Sequence, residues 1–394
     1  MSKFHYDSIK TLARENGLRV GDLLALAPAN DPFYTGRPSE IEAAQWFADV
    51  FRQFGYFQSV HLRRIHYQIV SQEEPIHLPG GKGAYENTKR CWDYLNNAAK
   101  WARYLDLVPG EQFIDRRNPD AIIYHRVPQP DDWDYRDPTP RVTVNAPEEW
   151  EWEDFEAPQV PELPPLPYLP DVPGYAVDGY QGIRQPYLVE VWAEKTTMND
   201  VLEPICERYS VNLVTGAGEL SISAVLDFLE RVEEAGRPAR ILYVSDFDPA
   251  GIGMPISVAR KIEFYLRKGD YEADIRLEPI VLTTEQVEAY DLPRVPVKDS
   301  DRRKASWVHN HGAGQVELDA LEALHPGALG VLIEGAIQRY YDPSLTLRAQ
   351  NRRWELQDHV GKIELAIVEH SDDAAAIRQR MNDLVRSYEE ASQR

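Results

Sequence analysis

Cysteine is nearly absent from this chain: Cys91 and Cys206 are the only two in 394 residues, far apart and outside any metal-ligand spacing. A disulfide framework and a cysteine-built zinc site are therefore excluded, and a reducing, cytoplasmic compartment is the expectation. Long hydrophobic runs are missing too. None approaches the ~18 to 20 residues that a membrane helix needs, so no membrane partner is expected. The opening Met-Ser-Lys-Phe-His-Tyr-Asp lacks the apolar core of a secretory signal. There is no P-loop and no GxGxxG opening a helix, so nothing here hydrolyses ATP or binds a dinucleotide through those motifs. Positive charge is also short. With 43 Lys and Arg against 64 Asp and Glu, the net charge is −21. That balance argues against a simple DNA binder, whose non-specific affinity comes from neutralised phosphates.

The length suits two or three domains with a sizeable core. The charge is unevenly spread: residues 126–186 hold 13 acids against four arginines, and 13 of the 29 prolines. Segments such as 148–156 and 161–170 are too acidic or too proline-rich for regular helix or sheet, so 126–186 reads as an acidic spacer. Basic residues gather elsewhere, at Arg63, Arg64, Lys82, Lys89, Arg90, Lys100 and Arg103, and again at Lys298, Arg302, Arg303 and Lys304.

The most informative stretch is 241–254, Ile-Leu-Tyr-Val-Ser-Asp-Phe-Asp-Pro-Ala-Gly-Ile-Gly-Met. An apolar, β-branched run of this kind predicts a buried parallel strand. It ends in Asp246 and Asp248, which an extended backbone aims the same way. Carboxyl ends of strands are where open α/β sheets bind ligands, and paired carboxylates suit a hard cation such as Mg²⁺. A second strand is predicted over 187–195 and ends in Glu194. Between the two lie a helix (about 200–209), a short strand (211–215), a glycine turn (216–219) and another helix (221–235).

This β-α-β-α-β order, with an acid, a glycine turn and then Asp-x-Asp, resembles the Toprim domain of topoisomerases, primases and some nucleases. The resemblance implies that Glu194, Asp246 and Asp248 hold Mg²⁺, or Mn²⁺, and that Glu194 also serves catalysis.

Upstream, residues 59–70 contain Leu62, Ile65, Ile69 and Val70 at helical spacing, followed by an extended stretch and a helix over about 86–104. That grammar fits a helix-turn-helix or winged-helix module. A winged helix paired with a downstream Toprim domain resembles the topoisomerase VI A subunit and its meiotic recombination relative, in a prokaryotic or phage form. Members of that family carry an Arg-acid-Ile-aromatic-Tyr run whose tyrosine attacks DNA. Here the run is Arg63-Arg64-Ile65-His66-Tyr67, which departs from the pattern at Arg64 and His66. The resemblance implies that Tyr67 is the nucleophile and that Arg63 stabilises the phosphate. Partners implied are double-stranded DNA, a second copy of the chain whose Toprim site completes the tyrosine's, and a separate ATPase subunit.

The expected fold is therefore multidomain α/β and α+β. A helical and winged-helix domain spans 1–125, the acidic spacer 126–186, a Rossmann-like Toprim domain with a parallel sheet 187–325, and a helical region 326–394. Two further expectations concern segments downstream. Thr283 or Thr284 caps a helix after a strand near 281. Glu317-Leu-Asp-Ala-Leu321 resembles an acidic element that follows the Toprim core in topoisomerase VI A-like proteins, so Glu317 or Asp319 either assists the metal site or serves as an ordinary acid at a helix start. A hydrolytic Toprim nuclease of defence type, and a non-catalytic DNA-binding subunit, are the other readings the residues leave open.

Overall fold

The computed structural model describes residues 5–56, 59–114, 118–124, 142–145, 174–177, 185–216, 221–269, 271–301 and 303–392. The expected acidic segments at 148–156 and 161–170, and the glycine turn beyond Gly216, lie outside them. Two units are present. One comprises residues up to Val127 together with Pro186–Tyr341; the other comprises Pro128–Gln185 with Asp342–Arg394.

The first unit opens with four helices: α1 (Tyr6–Glu15), α2 (Pro38–Phe54), α3 (Leu62–Val70) and α4 (Lys89–Tyr104). Proline at the first position starts α2, where its missing N–H has no intrahelical partner to lose, and Gly55 in the left-handed conformation ends it. Phe47 and Phe51 of α2, Ile65 and Ile69 of α3, and Leu95, Ala98 and Ala99 of α4 are all buried in one core. A tight hairpin joins α3 to α4: Leu78 N–H donates to Gly83 O and Tyr85 N–H to Ile76 O, each at 2.8 Å.

Next in chain order come β1 (Val142–Asn145) and β2 (Gly174–Val177), both of the second unit, and then the α/β part of the first. Its elements are β3 (Leu188–Ala193), α5 (Asn199–Tyr209), β4 (Asn212–Thr215), α6 (Ile222–Ala235), β5 (Ala239–Val244), α7 (Gly253–Lys268) and β6 (Ile275–Val281). They are followed by α8 (Thr284–Ala289), α9 (Lys304–His311), α10 (Leu318–Leu324) and α11 (Ala328–Gln338). The four strands form a wholly parallel sheet in the order β4-β3-β5-β6. The fold is thus mixed α/β.

Every residue of β3 and of β5 is buried, as strands covered on both faces must be. Alternate side chains serve opposite faces. Val189, Val191 and Ala193 join Leu202, Ile205, Ile333 and Ile337 on one side. Leu188 and Trp192 join Phe228, Val258 and Ile262 on the other. Helices α5 and α11 therefore cover one face, and α6 and α7 the second. The apolar α11 turns its hydrophobic side to this sheet, so the compact unit runs to Tyr341, past the expected boundary at 325. No single described helix is long and apolar enough to cross a membrane.

The helical module and the sheet are joined within the first unit. Arg260 of α7 donates from Nε to both carboxylate oxygens of the buried Asp31, at 3.2 and 3.1 Å, and from Nη2 to Leu23 O at 3.1 Å. Its guanidinium lies 4.1 Å from the Phe33 ring centroid. Phe264, beside it, packs edge-on against both Phe33 and Tyr104.

In the second unit, β1 pairs antiparallel with β2, Val142 opposite Val177 and Asn145 opposite Gly174. Sheet thus occurs inside the stretch read as a spacer. Within the region expected to be helical, α12 runs Ser344–Ser392 without a break, roughly 73 Å at 1.5 Å per residue. Asp342 starts it, accepting from Ser344 N–H at 2.9 Å while its own N–H donates to Gln185 Oε1 at 2.7 Å.

Candidate active site at the carboxyl edge of the sheet

All four strands run the same way, so the loops after β3, β4, β5 and β6 gather at one edge. The two central strands put their acids there side by side. Ala193 pairs with Val244, and Glu194 N–H continues the ladder to Val244 O at 3.0 Å. Glu194 Oε2 in turn accepts from Asp246 N–H at 3.3 Å. Burial pushes the Glu194 carboxyl up to about 7, and the neighbouring Asp246 and Asp248 push the same way.

Asp246 is buried, and both its oxygens are engaged. Oδ1 accepts from Leu318 N–H at 2.9 Å, and Oδ2 meets Lys195 Nζ at 2.8 Å. Burial raises its pKa, against the opposing pull of Lys195 and the Leu318 amide. Asp248 stands at the mouth of the following turn, where its Oδ1 accepts from Ala250 N–H at 2.7 Å and Gly251 N–H at 2.6 Å. This carboxylate therefore shapes the loop that leads into α7.

Lys195, next to Glu194 in sequence, is not among the expected site residues. Its ammonium also reaches Glu317 Oε2 at 3.2 Å and Asp319 Oδ2 at 3.5 Å, at the start of α10. Burial works against its charge, but Asp246 and Glu317 outweigh that and hold it protonated above the ordinary lysine range. Glu317 and Asp319 are accordingly tied to the acid site through Lys195. A lysine following the strand-end glutamate is a visible signal in the sequence, but only the fold brings residues 317 and 319 to it.

Tyr67 is 58 % exposed on α3 rather than packed in the core, and Arg63 and Arg64 are exposed beside it. His66, where the resembled pattern has an aromatic, is buried. Its Nδ1 meets Tyr85 Oη at 2.7 Å and its Nε2 meets Asn87 Oδ1 at 3.2 Å, with the Trp92 ring edge-on. These contacts lock the inner face of α3 and leave Tyr67 outward. Arg63 borders a cleft of about 770 Å³ together with His61, Trp92, Arg103, Ser221 and Ser223. Ser221, in that lining, caps α6, which follows β4 in the chain. Among the described residues, no hydrogen bond or ion pair links Tyr67 or the Arg63 side chain to Glu194, Asp246 or Asp248.

Three oxygen-donor carboxylates with too little positive charge among them fit a hard divalent cation in donor chemistry. Among the described residues no group of three or more His, Cys, Asp or Glu side chains is arranged to hold a metal ion, with Asp246 engaged by Lys195 and Asp248 by its own loop amides. The downstream basic cluster is largely engaged in ion pairs: Arg303 meets Asp301 at 2.9 Å and Lys304 meets Asp299 at 2.5 Å; Arg302 lies outside the described residues. A scan against models of known protein families gives no match, and no curated protein matches the chain.

Proposed function

We propose that this chain is a divalent-cation-dependent DNA-breaking enzyme of Toprim type, resembling the topoisomerase VI A subunit. The observation that carries the reading is the placement of Glu194 and Asp246 at the carboxyl ends of adjacent parallel strands, with Glu194 Oε2 3.3 Å from the Asp246 amide. With Asp248 two residues beyond Asp246, they supply the acid types such chemistry uses. Glu194, Asp246 and Asp248 would hold Mg²⁺ or Mn²⁺, and a bound cation supplies Lewis-acid stabilisation of charge on the phosphate.

Tyr67 is the group that attacks. Its phenol is exposed on a helix whose inner face is fixed by His66, as a nucleophile that must meet a DNA backbone has to be. The Tyr67 oxygen bonds to phosphorus and loses its proton. The bond from phosphorus to a deoxyribose oxygen breaks, and that oxygen takes up a proton and leaves as a hydroxyl. Arg63 stands four residues from Tyr67, one helical turn back, to neutralise the phosphate oxygens. Among the described residues no hydrogen bond or ion pair joins Tyr67 to the acids, which suits a homodimer in which each tyrosine works with its partner's acids. Strand passage would require a separate ATPase.

The same separation also favours a second reading, hydrolysis by metal-activated water at the three acids with Tyr67 as a DNA contact. Labelled plasmid incubated with Mg²⁺ and quenched in detergent distinguishes them. The transesterification reading expects label bound covalently to protein, lost in Tyr67→Phe and in Asp246→Ala. Cleavage that survives Tyr67→Phe but not Asp246→Ala assigns hydrolysis instead.

A further inference from the structure

Asp246 presents a contradiction for a metal ligand. One oxygen is held by the Leu318 amide at 2.9 Å and the other by the Lys195 ammonium at 2.8 Å. A hard cation takes carboxylate oxygens at close range, and a second positive charge on the same oxygen repels it. Yet Lys195 is not confined to Asp246. The same Nζ is already within 3.2 Å of Glu317 and 3.5 Å of Asp319. These two acids lie on the solvent side, with side chains 59 % and 54 % exposed, whereas Asp246 is 7 % exposed.

We propose that Lys195 is a tethered counter-cation that holds the metal position on Asp246 and yields it by pivoting onto Glu317 and Asp319 when a divalent ion enters. The proposal rests on the metal reading above and deepens it. A lysine suits this role because its charge is compact and its four-carbon stem has the torsional freedom to swing over a few ångströms. Glu317 and Asp319 are then landing acids, not metal ligands. They ease the exchange by keeping the ammonium paired after it leaves Asp246. The arrangement also keeps the buried Asp246 carboxylate compensated whenever the ion is absent, which an uncovered acid pair would not achieve.

Two opposite effects follow from residues that never touch the ion. Lys195→Met keeps the stem and removes the competitor, so affinity for a divalent ion rises. Glu317→Gln with Asp319→Asn removes the landing place and pins the ammonium on Asp246, so affinity falls. In the Lys195→Met background the Glu317/Asp319 change has nothing left to act on and has no effect. If those acids were themselves ligands, it would weaken binding in both backgrounds.

The measurement is Mn²⁺ binding to the full chain without DNA, read as free Mn²⁺ by electron paramagnetic resonance, with Mg²⁺ titration calorimetry alongside. Lys195→Gln and thermal melts guard against a misfolded variant. The result expected is a dissociation constant lowered about tenfold in Lys195→Met, in the range seen when groups behind metal ligands are changed. It is raised several-fold in Glu317→Gln/Asp319→Asn, and the second effect vanishes in the triple variant. Equal or weaker binding in both Lys195 variants, with wild-type melting, overturns the counter-cation. So does a Glu317/Asp319 effect that persists without Lys195. If neither wild type nor Lys195→Met binds Mn²⁺, or Asp246→Asn with Asp248→Asn binds as tightly as wild type, the metal reading falls with it.

Discussion

A methyl group on Gly251 would stand 2.2 Å from the carbonyl oxygen of Asp246, with the Ser245 side chain 3.2 Å away. Only a residue without Cβ lets the turn after β5 fold back so closely that Gly251 N–H also reaches Asp248. The obstacle is backbone, which cannot step aside as a flexible side chain does. Gly251→Ala is therefore expected to cost about 1–3 kcal/mol of stability by overpacking. It also displaces Asp246 and Asp248, so the melting temperature drops and Mn²⁺ binding weakens in the same variant. A variant that melts and binds like wild type would refute this account of the turn.

Glu190 is wholly buried in β3, where Arg231 of α6 donates to it from Nε at 2.8 Å and from Nη2 at 2.9 Å. Trp192 Nε1 and Asn212 Nδ2 complete its shell at 2.9 and 3.0 Å. Glu190→Ala strands the half-buried Arg231 guanidinium and is expected to cost about 3 kcal/mol, the low end for breaking a buried pair. The double change Glu190→Leu with Arg231→Met removes both charges and should recover most of that loss. Denaturant unfolding of the single and double variants gives the coupling directly.

The raised pKa of Glu194, about 7 against 4.5 for an ordinary glutamate, makes a signed statement about pH. The folded chain holds this proton more tightly than the unfolded one. The stability so gained is fully present below pH 4.5 and is lost as pH rises to about 7. Without divalent ions, Glu194→Gln should melt higher than wild type at pH 8 and with it at pH 4. The gain at pH 8 is at most ~2 kcal/mol, since Glu194 is partly solvated. Melting curves at the two pH values check it; an equal difference at both would point to packing instead.

Arg260→Ala removes the only arginine bonded to Asp31 among the described residues and leaves a buried carboxylate with the backbone amides of Ala25, Leu26 and Phe33. Those amides soften the loss, so a cost of about 3 kcal/mol, the low end for breaking a buried pair, is expected. Limited proteolysis should then cut within residues 20–36 sooner than in wild type, while the helices around the parallel sheet stay protected.

The carboxyl-edge site was legible in outline. A mainly apolar, β-branched run that stops at an acid has few other ways to fold, so β3, β5 and the placing of Glu194, Asp246 and Asp248 just beyond their ends followed from pattern. The cap of α8 was legible for a local reason: Thr283 accepts from Gln286 N–H three residues on. What escaped was set by distance along the chain. Glu190 looks like a flaw in an apolar strand until Arg231, 41 residues later, is seen against it. Lys195 meets Glu317 across 122 residues. The β1–β2 pair consists of four-residue runs with strand-forming Val, Thr and Tyr, set among prolines and acids that hide so short a signal.

The Asp31–Arg260 bond spans 229 residues of sequence. During synthesis the N-terminal loop must wait for α7 before its carboxylate finds an arginine and Phe33 finds Phe264. The first hundred residues are thus not a self-sufficient folding unit, however well their helices pack. Expressed alone they would carry Asp31 without its arginine and a bare aromatic face, which invites aggregation. A chain interrupted anywhere before residue 260 inherits the same defect, so this contact closes late in synthesis.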